Sequence, residues 1–147
     1  MRLNCSVSSY RGRTLENILA DPKSIYIVDD DEDDIFLIRQ AISELKLDVA
    51  VFQASNGRDL LDILDKNKQN ALILIDMNMP IMNGIETLNA IYADPDFQHF
   101  RSILVSTSDA EKLRELALRS GASEFLSKPV YYQGYIKMVA EIFFKYF

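Results

Sequence analysis

Short apolar runs recur along most of the chain at nearly regular intervals. Each is rich in β-branched or aromatic residues and ends at a polar or turn-forming residue, as is typical of a buried strand. The two most continuous runs, the first and the third, suit the centre of a parallel sheet. The pattern predicts five strands, at Ser24–Val28, Val49–Ala54, Ala71–Ile75, Ser102–Ser106 and Glu124–Ser127.

After each run, apolar residues return every three or four positions, which predicts an amphipathic helix. In the fourth helix this spacing directs Leu113, Leu116 and Ala117 inward, and Gly121 follows as a helix-ending glycine. The five predicted helices are Asp33–Leu45, Arg58–Lys66, Ile85–Ala93, Asp109–Ser120 and Gln133–Tyr146.

Strands and helices that alternate in this way imply right-handed crossovers. We therefore predict an α/β fold: one five-stranded parallel sheet in the order 2-1-3-4-5, with helices on both faces, the flavodoxin-like arrangement. Residues 24–147 form this domain. Residues 1–23 are polar and irregular, and we interpret them as a flexible N-terminal extension.

Composition narrows the possible functions. The 147 residues suffice for one domain with a core, and the net charge of −6 offers no general attraction for nucleic acid. The single cysteine, Cys5, cannot form an internal disulfide. No apolar run is long enough to span a membrane, and the N-terminus lacks the apolar segment of a signal peptide. We expect a cytoplasmic protein without direct nucleic-acid or membrane binding.

Candidate chemistry lies at the strand ends. In an open parallel sheet, the functional site lies beyond the carboxyl ends of the strands. There the first strand gives Asp29 and Asp30, the third gives Asp76, the fourth Ser106 followed by Thr107, and the fifth Lys128. The first and third strands are neighbours in the predicted order, so their three carboxylates can share one divalent cation.

This set of side chains suits phosphoryl transfer. Three carboxylates form an oxygen site for Mg²⁺ that leaves room for water and a phosphoryl oxygen. A carboxylate can attack phosphorus, and the metal and a lysine offset the repulsion between the two anions. The acids that follow, residues 31–34, are predicted to form a solvated loop and a helix N-terminus without a chemical role.

Several motifs in order resemble the receiver domain of two-component response regulators, of the stand-alone, chemotaxis-regulator-like kind. The resemblance covers about Ser24 to Phe147 and rests on the full set of motifs at these spacings. They are Val28-Asp29-Asp30, Asp76-Met77-Asn78-Met79-Pro80 with Asn83-Gly84, Ser106 after an apolar strand, and Phe125-Leu126-Ser127-Lys128-Pro129.

The resemblance implies a role for each matching residue. Asp76 would accept a phosphoryl group from a histidine kinase or phosphotransfer protein. Asp30 would bind Mg²⁺ directly, Asp29 largely through water, and the backbone carbonyl of Asn78 would complete the metal site. Lys128 would bind the phosphoryl group. The expected function is a phosphorylation-gated switch that catalyses only its own phosphorylation and dephosphorylation.

The resemblance also implies a switch. Ser106 would bind the phosphoryl group and Phe125 would change rotamer, which would alter partner binding through helix 4, strand 5 and helix 5. The neighbouring Thr107 could supply the hydroxyl instead, although strand alternation favours Ser106. Pro129 would follow a cis peptide bond. We expect no covalently attached output domain, so the signal would leave by protein contact or onward phosphotransfer.

The last helix carries more apolar surface than one buried face requires. Its polar stripe is narrow, whereas aromatic and aliphatic residues cover most of the remaining circumference. Two interpretations stay open: a contact surface for a partner or a homodimer, or a cover for the N-terminal extension.

Two other functions use similar chemistry. A Mg²⁺-dependent phosphatase with an aspartyl nucleophile needs a second acid two residues after it. Here that residue is Asn78, which argues against this class. A flavin-binding flavodoxin needs a loop that cradles phosphate after the first strand, whereas this chain has acids there.

Overall fold

The computed structural model describes residues 22–147 of the chain. Its five parallel strands form one sheet in the order β2-β1-β3-β4-β5, which confirms the predicted topology. The strands are β1 (Ser24–Val28), β2 (Ala50–Ala54), β3 (Ala71–Asp76), β4 (Arg101–Ser106) and β5 (Glu124–Ser127). Every residue of β1 is buried, as is nearly all of β3, because helices cover both faces of these central strands.

In the described part of the chain, five helices connect and follow the strands, each within a few residues of its predicted bounds. They are α1 (Glu32–Glu44), α2 (Gly57–Ile63), α3 (Gly84–Ala93), α4 (Glu111–Arg119) and α5 (Tyr132–Tyr146). The first three begin at side-chain caps, where an Asp or Asn oxygen accepts a hydrogen bond from a free backbone N–H. Within residues 22–147, none of the helices has the length and apolar character to cross a bilayer.

Two apolar clusters fill the space on either side of the sheet. One joins α2, α3 and α4 to the sheet and includes Leu60, Leu88 and Phe125. The other joins α1 and α5 to the opposite face and includes Ile38 and Ile142. Side chains of alternate strand residues point into opposite clusters, so each strand contributes to both.

The inward placement of Leu116 is wrong. Its side chain is 40% exposed, whereas Ala117 is fully buried and Leu113 is half-buried. Residues 113 and 117 are four positions apart and share a face, while Leu116 is rotated away from Ala117 by about 100°. Gly121 follows α4 with φ of 114°, in agreement with its predicted role as a helix-ending glycine.

Much of the apolar surface of α5 contacts the domain itself. Met138, Val139 and Ile142 are buried against the sheet, while Phe144 is 78% exposed. The half-buried Phe143 ring lies 5.1 Å from the Lys23 ammonium, measured to the ring centroid. The homodimer through this helix stays a prediction. The alternative is cover by the N-terminal extension, residues 1–23; of these, residues 1–21 lie outside the described residues.

Candidate functional site

The predicted site residues meet at the carboxyl edge of the sheet. Asp29 follows β1, Asp76 ends β3, Ser106 ends β4 and Lys128 follows β5. Parallel pairing brings the ends of these strands to one level, with Val28 opposite Ile75 and Asp76 opposite Val105. Residues far apart in the chain are therefore adjacent in the fold.

Three carboxylates form a compact cluster at this edge. Asp29, Asp30 and Asp76 each offer an oxygen, and these atoms all lie within 4.8 Å of one another. Asp29 and Asp76 are only 4% and 7% exposed, whereas Asp30 is open to solvent. Hard oxygen donors with one open side fit a cation such as Mg²⁺, which retains waters and takes a substrate oxygen. Asn78 is exposed in the loop two residues after Asp76, and its carbonyl ligand role stays a prediction.

A glycine allows the chain to pass close to Asp76. Gly84 begins α3 directly after Asn83, whose side chain forms a capping box with Glu86. A Cβ at Gly84 would lie 2.8 Å from the Asp76 carbonyl oxygen and 2.6 Å from a Leu104 methyl carbon. The Asn-Gly motif thus caps the helix and lets it begin against the end of β3.

Lys128 lies at the centre of the acidic groups. Its Nζ is 3.1 Å from Asp29 Oδ2, 3.2 Å from Asp76 Oδ1 and 2.5 Å from Asp34 Oδ2. The lysine and these acids are at most partly exposed, so solvent screens their attraction less than on an open surface. The ammonium offsets much of the repulsion among the carboxylates.

Burial and charge alter the acidity of these groups. Desolvation raises the pKa of Asp29 to about 6, helped by the nearby charge of Asp76 and opposed by hydrogen bonds from Asp31 and Lys128. Desolvation likewise raises the pKa of Asp76, against the attraction of Lys128. Burial alone would lower the pKa of Lys128, but its bonds to Asp34 and Asp29 raise it overall. The lysine therefore stays charged.

Residues 31–34 were predicted to be solvated and without a chemical role; the solvated placement is wrong for Asp34, whose side chain is 17% exposed. Its carboxylate contacts Lys128 and also accepts a hydrogen bond of 3.1 Å from the Tyr135 hydroxyl on α5. Asp34 lies one helical turn before Ile38, which is buried, so helical spacing directs it toward the sheet. That spacing was the available signal, but Asp34 ends an unbroken run of acids, residues 29–34, and the whole run was interpreted together.

The neighbouring serine and threonine differ in their surroundings. Ser106 is fully buried, and its Oγ accepts a hydrogen bond of 3.0 Å from the Ser108 backbone N–H. Thr107 is exposed. The burial pattern agrees with the alternation argument that favours Ser106, although its role as switch hydroxyl stays a prediction.

Phe125 is buried beneath α4. Its side chain is 2% exposed, and the Arg114 guanidinium lies 5.1 Å from its ring centroid. Arg114 also donates a hydrogen bond of 3.1 Å to the Phe125 carbonyl oxygen. A rotamer change at Phe125 would therefore affect α4 directly.

The prediction of a cis peptide bond before Pro129 is wrong. No peptide bond in residues 22–147 is cis, so Lys128–Pro129 is trans. A trans bond is the lower-energy form even before proline, by about 0.5–1 kcal/mol. The expectation rested on the family resemblance alone, since nothing in the local sequence requires the cis form.

Comparison with known proteins places this geometry in context. The family model described as response regulator receiver domain matches residues 25–140. A chemotaxis protein CheY homolog of Campylobacter jejuni is 29% identical over 105 residues, which cover 71% of this chain and 80% of that protein. A protein-glutamate methylesterase/protein-glutamine glutaminase of Desulfotalea psychrophila is 35% identical over 101 residues, covering 66% of this chain but 28% of that protein.

Solved structures share the fold. The phosphorylated cyanobacterial phytochrome response regulator RcpA superimposes with a TM-score of 0.75 at 25% identity, covering 85% of this chain and 94% of that one. The Mn²⁺-bound form of response regulator Rcp1 gives a TM-score of 0.71 at 25% identity, covering 82% and 91%.

Proposed function

Because the chain belongs to the response regulator receiver domain family, we propose that it is a phosphorylation-gated signalling switch in which Asp76 accepts a phosphoryl group. Receiver domains are signalling switches rather than conventional enzymes. Their general partners are histidine kinases or phosphotransfer proteins, and we propose one of these as the donor.

One observation carries the proposal. A single ammonium, Lys128 Nζ, lies 3.1 Å from Asp29 and 3.2 Å from Asp76, beside a cluster of three carboxylates. The cluster suits a cation on one side of Asp76, and the ammonium supplies positive charge on another. Two cationic groups around one buried carboxylate favour the approach of a phosphoryl anion.

The proposed reaction forms one bond and breaks another. An Asp76 carboxylate oxygen attacks the phosphorus of a phosphohistidine, and the P–N bond breaks as its electron pair returns to the imidazole. Lys128 donates to a phosphoryl oxygen as negative charge collects there. When bound at Asp29, Asp30, Asp76 and the Asn78 carbonyl, Mg²⁺ would offset the charge of the phosphoryl oxygens. Two similar solved structures support the phosphoryl group and the divalent cation of this proposal. One is described as phosphorylated and the other as Mn²⁺-bound.

The response would pass from Ser106 and Phe125 to the surface. In the proposal, the Ser106 hydroxyl binds the phosphoryl group and Phe125 changes rotamer. Because Arg114 contacts both the ring and the carbonyl of Phe125, α4 would then move relative to β5 and α5. The result is a shift between two existing states of one fold, which changes partner preference.

The proposal is tested by labelling. Wild-type protein is incubated with a small phosphodonor and Mg²⁺, and intact mass spectrometry counts the phosphoryl groups added. We expect one group, stable in acid and labile in base, and none on Asp76→Asn. The control is Asp33→Asn, an equal charge change at an exposed acid. Labelling of Asp76→Asn would refute the assignment.

The same experiment separates the phosphatase alternative. A phosphatase would release phosphate from phosphate esters over many turnovers. The exposed amide of Asn78 occupies the position where that class needs an acid. We therefore expect no turnover of phosphate esters beyond the loss of the single group on Asp76.

A further inference from the structure

Asp34 is an acid at the site that stands outside the carboxylate cluster. The cluster consists of Asp29, Asp30 and Asp76, whereas Asp34 lies in the first turn of α1. Both of its oxygens have partners: Oδ2 is 2.5 Å from Lys128 Nζ, and Oδ1 accepts from the Tyr135 hydroxyl at 3.1 Å. The contacts thus join α1, α5 and the loop after β5.

A count of donors shows why this third acid matters. An ammonium has three N–H bonds, and Lys128 faces three carboxylates, those of Asp29, Asp34 and Asp76. A phosphoryl oxygen can therefore bind Lys128 only when one of these partners releases it. Asp29 and Asp76 belong to the cluster that would bind a cation. Asp34 does not, so its bond to Lys128 can persist.

Tyr135 is well placed to hold Asp34 in this orientation. The residue is only 3% exposed, so packing around the ring holds the hydroxyl in position. Burial first, and then the charge and hydrogen bond of Asp34, raise the pKa of Tyr135. The hydroxyl therefore keeps its proton and remains a donor.

We propose that Asp34, oriented by Tyr135, is a positioning residue that keeps Lys128 at the phosphoryl-binding position when the cation and phosphoryl group take up Asp29 and Asp76. The inference rests on the proposed function, because it assigns a partner to the lysine of that same site. Lys128 then offers its remaining N–H bonds to the phosphoryl group without leaving the site.

The test combines a magnetic resonance signal with a rate. Protein labelled with ¹⁵N-lysine is compared as wild type, Asp34→Asn, Tyr135→Phe and Asp33→Asn. The last variant removes the same charge from the same helical turn, at an exposed position. The ¹H–¹⁵N signal of the Lys128 ammonium is recorded with Mg²⁺ and beryllofluoride, a phosphoryl mimic. The rate of labelling by a small phosphodonor is then measured at saturating Mg²⁺.

We expect Asp34→Asn to lose the slowly exchanging Lys128 signal and to label about tenfold more slowly, the scale of one hydrogen bond to a charged group. Tyr135→Phe should act in the same direction by about threefold, because it leaves the contact between Asp34 and Lys128 itself in place. Asp33→Asn should keep the wild-type signal and rate. Asp34→Glu, which restores the charge on a longer side chain, should recover part of the rate.

Two results would overturn the inference. One is an Asp34→Asn protein that labels as fast as Asp33→Asn. The other is a Lys128 signal that survives Asp34→Asn unchanged. Failure of the wild type to take any label would instead refute the proposed function, so the two failures are distinguishable. Thermal unfolding of each variant checks that it is folded.

Discussion

The helices α1 and α5 on one face of the sheet are held very differently from α4 on the other face. On one face, α1 and α5 each bury four residues, and two tyrosine hydroxyls of α5 bond acids of α1: Tyr135 to Asp34 at 3.1 Å and Tyr132 to Glu44 at 2.6 Å. On the other face, α3 buries five residues but α4 buries only Ala117. Its Leu116 and Leu118 are 40% and 45% exposed.

This difference indicates separate roles for the α1–α5 pair and for α4. The α1–α5 face contacts Lys128 through Asp34, so it can keep the site in place. The helix α4 reaches the site through Phe125 and its neighbours, and few buried residues of its own resist its movement. A switch needs both a fixed site and an element that moves at small cost. The comparison suggests that α1 and α5 supply the first and α4 the second.

The largest expected difference between the faces is in stability. Ile142→Ala removes a buried side chain of α5 and should lower the free energy of unfolding by about 3 kcal/mol. Leu116→Ala on α4 should cost less than about 1 kcal/mol, because the side chain is already partly in water. Urea unfolding of the two variants measures both. Equal losses would contradict the proposed difference between the faces.

A second prediction concerns the fixed site and its cation. The proposed binding of Mg²⁺ would require ionised Asp29, whose pKa is raised to about 6 by burial. Affinity should be highest above about pH 7 and fall as the carboxyl takes up a proton. It should be about tenfold weaker at pH 5, one unit below that pKa. The raised pKa of Asp76 acts in the same direction. Calorimetric Mg²⁺ titrations from pH 8 to pH 5 test this, and a constant affinity would contradict it.

The smallest predicted effect lies at the link between Phe125 and α4. Arg114→Ala removes a hydrogen bond to the Phe125 carbonyl and a cation–π contact with its ring. We expect a loss of about 0.5–1 kcal/mol in stability and faster amide exchange in α4 alone. The matched control is Arg119→Ala, an exposed arginine in the last turn of α4. Equal amide exchange of α4 in both variants would show that Arg114 does not link Phe125 to α4.

The fold could be predicted well because strands and helices follow from local periodicity. Runs such as residues 71–75 predicted central strands, and the strand ends then located Asp29, Asp76 and Lys128 at one edge. Tertiary details could not be predicted in the same way. The exposure of Leu116 depends on how α4 lies against the sheet. The contacts of Asp34 are with a lysine and a tyrosine about a hundred residues away in the chain.

One measurement tests the central claim most directly: hydrogen–deuterium exchange of wild type and Asp76→Asn, each with Mg²⁺, before and after addition of a small phosphodonor. We predict that exchange in α4 and β5 changes in the wild type only, while the amides of α1 and the buried turns of α5 stay protected. Phosphorylated wild type with unchanged exchange in α4, or an equal change in Asp76→Asn, would contradict the account.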